Sequence, residues 1–245
     1  MLSYQHAYHA GNRADIQKHS LLASVLEILA RKDRPLTYIE THAGRGVYDL
    51  KAAEAEKTGE AAVGWLALEK PDIEKLPGGY VEAVRALNKG KLEPLYPGSP
   101  LVATQILRPQ DEVHLMELHP QEYSALIKNF RGDKRVHIHK RDGLEGALAL
   151  SPPANRRGLV LVDPSYEIKT EYETIPEFAV KLVRKWPECS ILIWIPMLPA
   201  KRHEGMIETL KASFPGTQIF ETVWGKPGEG MYGSVMAGIN LPFGV

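Results

Sequence analysis

Residues 159–166 read Leu159-Val160-Leu161-Val162-Asp163-Pro164-Ser165-Tyr166. Four apolar residues with no polar alternation describe a strand covered on both faces, as the central strands of parallel sheets are. The run Ile191-Leu192-Ile193-Trp194-Ile195 has the same character. Working outward, strand-like runs lie at 36–41, 113–118, 136–140, 190–195, 218–223 and 235–241. Helical spacing of apolar residues marks 14–31, where Ile16, Leu22, Val25, Leu26 and Leu29 recur, and then 101–107, 121–130, 143–150, 170–186 and 201–213. Strands alternating with helices imply βαβ units, a mostly parallel sheet and an α/β fold. The last two strands are separated only by the loop Gly225–Gly233, so an antiparallel pair is expected at one sheet edge.

The chain has 245 residues, enough for one large domain or one domain with an insertion. Hydrophobic residues make up 44% and charged residues 24%, a globular balance that excludes disorder and coiled coil. Lys+Arg 30 against Asp+Glu 30 gives no net charge, so any nucleic-acid surface has to come from the arrangement of charges. The single cysteine, Cys189, excludes an internal disulfide and suits a reducing cytosol. The opening MLSYQHAYHAG lacks a basic segment followed by an apolar one, and the longest apolar run, Ile191–Leu198, is far below the ~20 residues that span a bilayer. A soluble cytoplasmic protein is expected.

In an open α/β sheet, ligands bind outside the carboxyl ends of the strands. The first strand delivers Thr41-His42-Ala43-Gly44-Arg45-Gly46 there, and later strands deliver Glu117, Asp142-Gly143 and Asp163. Carboxylates converging on one end repel unless a ligand uses them. The glycine turn is by itself compatible with a plain strand-to-helix turn. The third position of a dinucleotide fingerprint is Asp49, which argues against a nicotinamide cofactor. A ribose-binding acid is expected about 20 residues beyond such a turn at the end of the next strand, yet Glu117 lies 71 residues beyond Gly46. The stretch 51–88 is rich in Ala, Glu and Lys, is broken by Pro71 and by Pro77-Gly78-Gly79, and suits two or three short helices. Residues 47–97 are therefore read as an inserted helical subdomain, with Glu117 as the displaced acid. The alternative for Glu117 is capping of the helix that begins near Pro120.

Asp163-Pro164-Ser165-Tyr166 approaches the tetrapeptide [DN]-P-P-[YFW] of methyltransferases that act on a planar amine. The Asp163 carboxylate and the Pro164 carbonyl can hold the two hydrogens of such an amine and turn its lone pair toward an electrophilic methyl group. Tyr166 is expected to stack on the base, returning ~1–3 kcal/mol against the cost of extrusion. The N-terminal residues Tyr4, His6, His9, Asn12, Asp15, Lys18 and His19 concentrate polar groups without any metal-ligand spacing. They are read as a lid facing substrate and cofactor, with a solvated surface as the alternative. Lys18 and His19, being adjacent, are not expected to face one core together. His137 and His139 share one strand face and are read as structural. Basic residues at Arg131/Lys134/Arg135, Lys140/Arg141, Arg156/Arg157 and Lys201/Arg202 are candidates for a phosphate-binding rim.

Taken in order, MLSYQHAYHAGNRADIQKH, ETHAGRGVYDL, YPGSP, LMELHP, RDG and LVDPSYE resemble the RlmJ family of bacterial 23S rRNA adenine-N6 methyltransferases along nearly the whole chain. The resemblance implies a Rossmann-like class I methyltransferase sheet with a small helical insertion. On that reading residues 1–46 and 98–245 form the methyltransferase domain, with 1–35 as lid and first helix, and 47–97 the insertion. It implies S-adenosylmethionine as cofactor, contacted by His19, His42, Ser99, Glu117, Asp142 and Gly143, with Glu117 on the ribose and Asp142 on the adenine edge. It implies Asp163 as the catalytic residue, Tyr4 as substrate-facing with His6 and Lys18 in support, and no metal. The expected partner is protein-free 23S rRNA, met by a monomer that needs no protein partner and no membrane. The chain departs from the family at Ser165, where a second proline is usual. It also ends soon after its last strand, so part of the RNA-contacting surface is expected to be absent or built differently. DNA adenine methylation, a dinucleotide-dependent oxidoreductase and a binding protein without catalysis are the alternative readings.

Overall fold

The computed structural model describes residues 4–228 and 230–245. Met1–Ser3, the start of the expected lid, and Glu229 lie outside the described residues. In chain order the elements are α1 (Arg13–Ala30), β1 (Thr37–Glu40), β2 (Val47–Asp49), α2 (Ala53–Thr58), α3 (Glu60–Val63), α4 (Lys70–Ile73), α5 (Gly78–Leu87), β3 (Leu95–Pro97), α6 (Ser99–Ile106) and β4 (Glu112–Met116). There follow α7 (Pro120–Asn129), β5 (Val136–His139), α8 (Gly143–Leu150), β6 (Gly158–Val162), α9 (Glu171–Lys185), β7 (Ser190–Met197), α10 (Arg202–Ser213), β8 (Gln218–Val223) and β9 (Gly233–Ile239).

Seven strands form one sheet in the order β5-β4-β1-β6-β7-β9-β8. The first five are parallel, and β9 inserts antiparallel between β7 and the edge strand β8. The unbroken apolar runs have a direct cause. Along β6, Leu159 and Leu161 enter the layer that also holds Tyr38, Leu22 and Leu26, while Val160 and Val162 enter the opposite layer with Ile39, Leu182 and Trp186. Both faces are covered, so no position alternates to water. Gly158 is required where β6 starts, because an added Cβ would lie 2.3 Å from the Thr37 carbonyl oxygen and 2.3 Å from the Trp186 ring.

The segment between β1 and α6 departs from the expected helices alone. Its ends, β2 and β3, pair as a short antiparallel ribbon with Tyr48 opposite Tyr96, and four short α-helices lie between them. The ribbon was not legible because three-residue strands carry too little periodicity to register. No helix among the described residues is long and apolar enough to cross a membrane.

Candidate active site

The parallel strands direct their carboxyl ends to one side of the sheet, where a cavity of about 490 Å³ opens. That topology corrects the expected rim of basic residues. Arg131/Lys134/Arg135 precede β5 and Arg156/Arg157 precede β6, so both clusters sit at the amino end, away from the cavity. There Arg135 pairs with Asp133 at 2.6 Å and binds the Leu107 carbonyl, while Arg157 binds the carbonyls of Arg34 and Leu29. Lys140/Arg141 and Lys201/Arg202 follow β5 and β7 at the cavity end, and Arg141 lines the cavity itself.

The turn after β1 is held from α7. Arg45 donates to Glu122 from Nε at 2.9 Å and from Nη2 at 2.6 Å, and Asn129 Nδ2 donates to the Arg45 carbonyl at 2.8 Å. Glu117 accepts from the Gly44 N–H at 2.8 Å and from the His119 N–H at 2.7 Å, so it ties the turn to the start of α7 and still lines the cavity. Burial raises the Glu117 pKa from its ordinary value against the pull of these two donors. Asp142 caps α8 by accepting from the Glu145 N–H at 2.9 Å, also at the cavity wall. Gly143 is glycine for a packing reason: a Cβ would lie 1.8 Å from the Thr41 carbonyl oxygen.

Ser99 gives its hydroxyl hydrogen to Glu40, whose other oxygen accepts from Tyr38 OH at 2.8 Å. Burial pushes the Glu40 pKa up to about 8, opposed by these hydrogen bonds. His19 Nδ1 is 3.1 Å from Tyr96 OH, and burial lowers its pKa to about 3, which keeps the ring neutral. His42 Nδ1 lies 2.8 Å from Thr41 Oγ1, and burial lowers its pKa as well.

At the end of β6, Asp163 Oδ2 accepts from Lys18 Nζ at 2.6 Å. Lys18 also pairs with Asp15 Oδ1 at 3.1 Å, and its ammonium lies 5.9 Å from the centre of the Trp194 ring. Burial works against the Lys18 charge, but Asp163 and Asp15 outweigh it and hold the pKa above the ordinary lysine value. Asp15 Oδ2 in turn contacts His6 Nε2 at 2.9 Å, and His6 Nδ1 meets Tyr4 OH at 2.9 Å. Tyr4, His6, Lys18, Asp163 and Pro164 all line the cavity.

Two expectations are corrected here. Lys18 and His19 are both buried, at 5% and 1% exposure, because the interior they enter is polar and supplies each with a partner. Tyr166 does not face the cavity. It adopts a φ of +55°, is 1% exposed, packs against Tyr172 at 4.6 Å and donates to the Trp194 carbonyl at 2.7 Å. The turn after Ser165 sends the ring back into the core, so Tyr166 braces β7 where base stacking was expected. His137 and His139 stack with His114 at 4.9 and 5.5 Å on the sheet, as structural histidines do.

Residues that sequence reasoning missed include Trp194 and Glu60, both of which border the cavity, whereas Asp15, expected only as part of the lid, links Lys18 to His6. Asn12 and Asp15 have the spacing of a helix cap and its third residue, and Asn12 Oδ1 accepts from the Asp15 N–H at 2.8 Å. Glu60 had no signal, because it reaches the site from the insertion.

A family model described as ribosomal RNA large subunit methyltransferase D, RlmJ, matches residues 33–245. The chain belongs to the RlmJ family. Its similarity to ribosomal RNA large subunit methyltransferase J of Escherichia coli K12 is 38% identity over 214 residues, which is 87% of this chain and 76% of the relative. A crystal structure of protein LPL1258 from Legionella pneumophila is similar at a TM-score of 0.85 with 38% identity, covering 96% of this chain and 88% of that one. A S-adenosylmethionine-dependent methyltransferase from Agrobacterium tumefaciens shares the fold alone, with a TM-score of 0.55, 14% identity, and coverage of 92% of this chain and 61% of that one. The RlmJ chain described here is thus a methyltransferase with a class I sheet, and its cavity lies where that sheet binds ligands.

Proposed function

We propose that the chain transfers a methyl group from S-adenosylmethionine to the N6 amine of an adenine in 23S rRNA. The observation that carries this reading is that Asp163 and Pro164 border the same cavity as Glu117 and Asp142. An amine-holding pair and a nucleoside-holding pair of carboxylates share one opening.

The residues present fit the cofactor. The cavity lies within the ~300–1,000 Å³ range of small-molecule sites. A Cβ on Gly98 would stand 3.1–3.3 Å from Tyr48 and Gly46, so bare backbone lines the wall beside the glycine turn. Among the described residues, His119 Nδ1 at the cavity is buried without a hydrogen-bond partner. Glu117 would take the ribose hydroxyls and Asp142 the adenine edge, with His19, His42, Ser99 and Gly143 completing the contact. When bound, S-adenosylmethionine supplies an electrophilic methyl group on a sulfonium.

The chain's own residues orient the amine. Lys18 occupies Asp163 Oδ2, which leaves Oδ1 and the Pro164 carbonyl to accept the two amine hydrogens. That grip turns the nitrogen lone pair toward the cofactor, and orientation of this kind is worth ~7–11 kcal/mol. Asp163 Oδ1 is the acceptor for the proton that the amine loses. Tyr4, with His6 behind it, faces the base at the mouth. Lys140/Arg141 and Lys201/Arg202 contact RNA phosphates at the cavity end. We read residues 47–97 as a subdomain inserted in a methyltransferase domain of residues 1–46 and 98–245, acting as a cytoplasmic monomer on protein-free RNA.

The test is transfer from labelled S-adenosylmethionine to protein-free 23S rRNA by wild type and Asp163→Ala, with the product nucleoside identified. N6-methyladenosine from wild type alone supports the reading. Cofactor binding without transfer to rRNA redirects it to DNA or to a binding protein, and no cofactor binding defeats it.

A further inference from the structure

One carboxylate of the inserted helices reaches the cavity. Glu60, the first residue of α3, places Oε1 2.7 Å from His9 Nδ1 and accepts from Asn12 Nδ2 at Oε2, 2.9 Å away. These two partners control different parts of the N-terminal segment. The His9 ring stacks on the Tyr4 ring, with centroids 5.5 Å apart and planes within 2°. Asn12 caps α1, the helix that carries Asp15 and Lys18. From there a continuous chain of contacts runs Tyr4–His6–Asp15–Lys18–Asp163. The same carboxyl group therefore holds both the aromatic plate at the mouth and the start of the helix that reaches Asp163.

Other contacts seat the segment's main chain on the insertion. The Trp65 N–H donates to the Gly11 carbonyl at 2.8 Å, Arg13 Nε to the Val63 carbonyl at 2.9 Å, and Thr58 Oγ1 to the Tyr8 carbonyl. None of these grips a side chain at the cavity mouth. The His9 pair does, and it is charge-assisted: the hydrogen bond to Glu60 raises the His9 pKa against the effect of burial, and Asp15 acts in the same direction. Tyr4 is more than one-third exposed; His9 supplies the plate its ring stacks on, while His6, whose ring meets Tyr48 edge-on at 5.1 Å, holds its hydroxyl.

We propose that Glu60 is a positioning residue for the target base: through His9 it sets the Tyr4 plate, and through Asn12 it keeps that plate in register with Asp163. The inserted helices thereby act on RNA engagement and leave cofactor binding alone. This rests on the reading that the site receives an adenine.

The test compares wild type, Glu60→Ala, Glu60→Gln, His9→Phe and the double variant Glu60→Ala/His9→Phe. Amide exchange of the free proteins is read by mass spectrometry, and kcat, RNA KM and S-adenosylmethionine Kd are measured. Glu60→Ala is expected to speed exchange across residues 4–12 while β6 and β7 stay protected. It raises the RNA KM by about tenfold and keeps the cofactor Kd within about twofold. His9→Phe keeps a ring against Tyr4 but loses the hydrogen bond, and raises the RNA KM by less than Glu60→Ala does, because the Asn12 contact survives. The double variant does no worse than Glu60→Ala, because that change has already removed the His9 contact. Glu60→Gln retains an acceptor for Asn12 and a donor for His9, and restores most of the wild-type KM. Unchanged exchange or unchanged RNA KM in Glu60→Ala overturns the proposal, as does an equal loss of cofactor affinity or an additive double variant. A wild type that methylates no RNA defeats the functional reading instead. A wild type that does so beside an unaffected Glu60→Ala defeats this proposal alone.

Discussion

Lys18 Nζ stands 2.6 Å from Asp163 Oδ2, with both side chains largely withdrawn from water, so the residue expected to hold the amine already carries a cation on one of its two oxygens. The arrangement divides Asp163 into an oxygen that is fixed and an oxygen that is offered. It also makes the site dependent on a helix 145 residues earlier in the chain.

Removing the cation tests that dependence. Lys18→Met strips Asp163 of its ion-pair partner and leaves Asp15 with His6 and the Gly11 N–H, and breaking a buried pair in this way costs about 3–5 kcal/mol. Urea unfolding should show a loss of that order, partly recovered in Lys18→Met/Asp163→Asn. A single variant as stable as wild type would mean that water already screens the pair.

The clamp between Arg45 and Glu122 should govern cofactor affinity. Lysine cannot reproduce a two-pronged guanidinium contact, so Arg45→Lys frees the turn that presents Gly44 to Glu117. Calorimetric titration is expected to show S-adenosylmethionine binding weakened by about tenfold, or ~1.4 kcal/mol, with the fold intact. Undiminished affinity would assign the clamp to α7 packing only.

Gly143→Ala should destabilise for a steric reason alone. The new Cβ meets main chain at 1.8 Å, and the Thr41 carbonyl cannot move without shifting the end of β1. A cost near the upper end of the ~1–3 kcal/mol typical of overpacking is expected in urea unfolding. A neutral result would show that the loop before α8 relaxes freely.

His19 makes stability depend on acidity. Its pKa falls from 6.5 unfolded to about 3 folded, so the unfolded state takes up a proton that the folded state refuses. The sign follows: stability is unaffected above pH 6.5 and declines as pH falls from there toward 3. Between pH 7 and 5 the loss from this group is roughly 2 kcal/mol. His19→Gln should flatten that part of the profile in denaturant unfolding at the two pH values. An unchanged slope would place the acid sensitivity in other groups.

The strand positions and the residues at their carboxyl ends were legible because they follow from local pattern. Residues 159–162 and 191–195 are apolar throughout, and that alone marks strands buried on both faces. Once parallel strands alternate with helices, chain connectivity decides that Glu117, Asp142 and Asp163 emerge on one side. The resemblance carried by the N-terminal segment and the YPGSP and DPSY turns supplied the family, which spacing alone does not yield.

Side-chain direction was a different matter. Nothing local tells that Tyr166 turns inward at φ +55° to donate to Trp194, or that Lys18 and His19 both find partners inside. Nor does it reveal that Arg135 and Arg157 are spent on carbonyl groups at the far end of the sheet. These outcomes depend on contacts between residues 28 to 145 positions apart. The sequence by itself determined which residues reach the end of the sheet where chemistry happens, because period and connectivity are properties of the chain. Tertiary structure decided which of them face the cavity. A buried polar group must find its partner wherever packing has placed one.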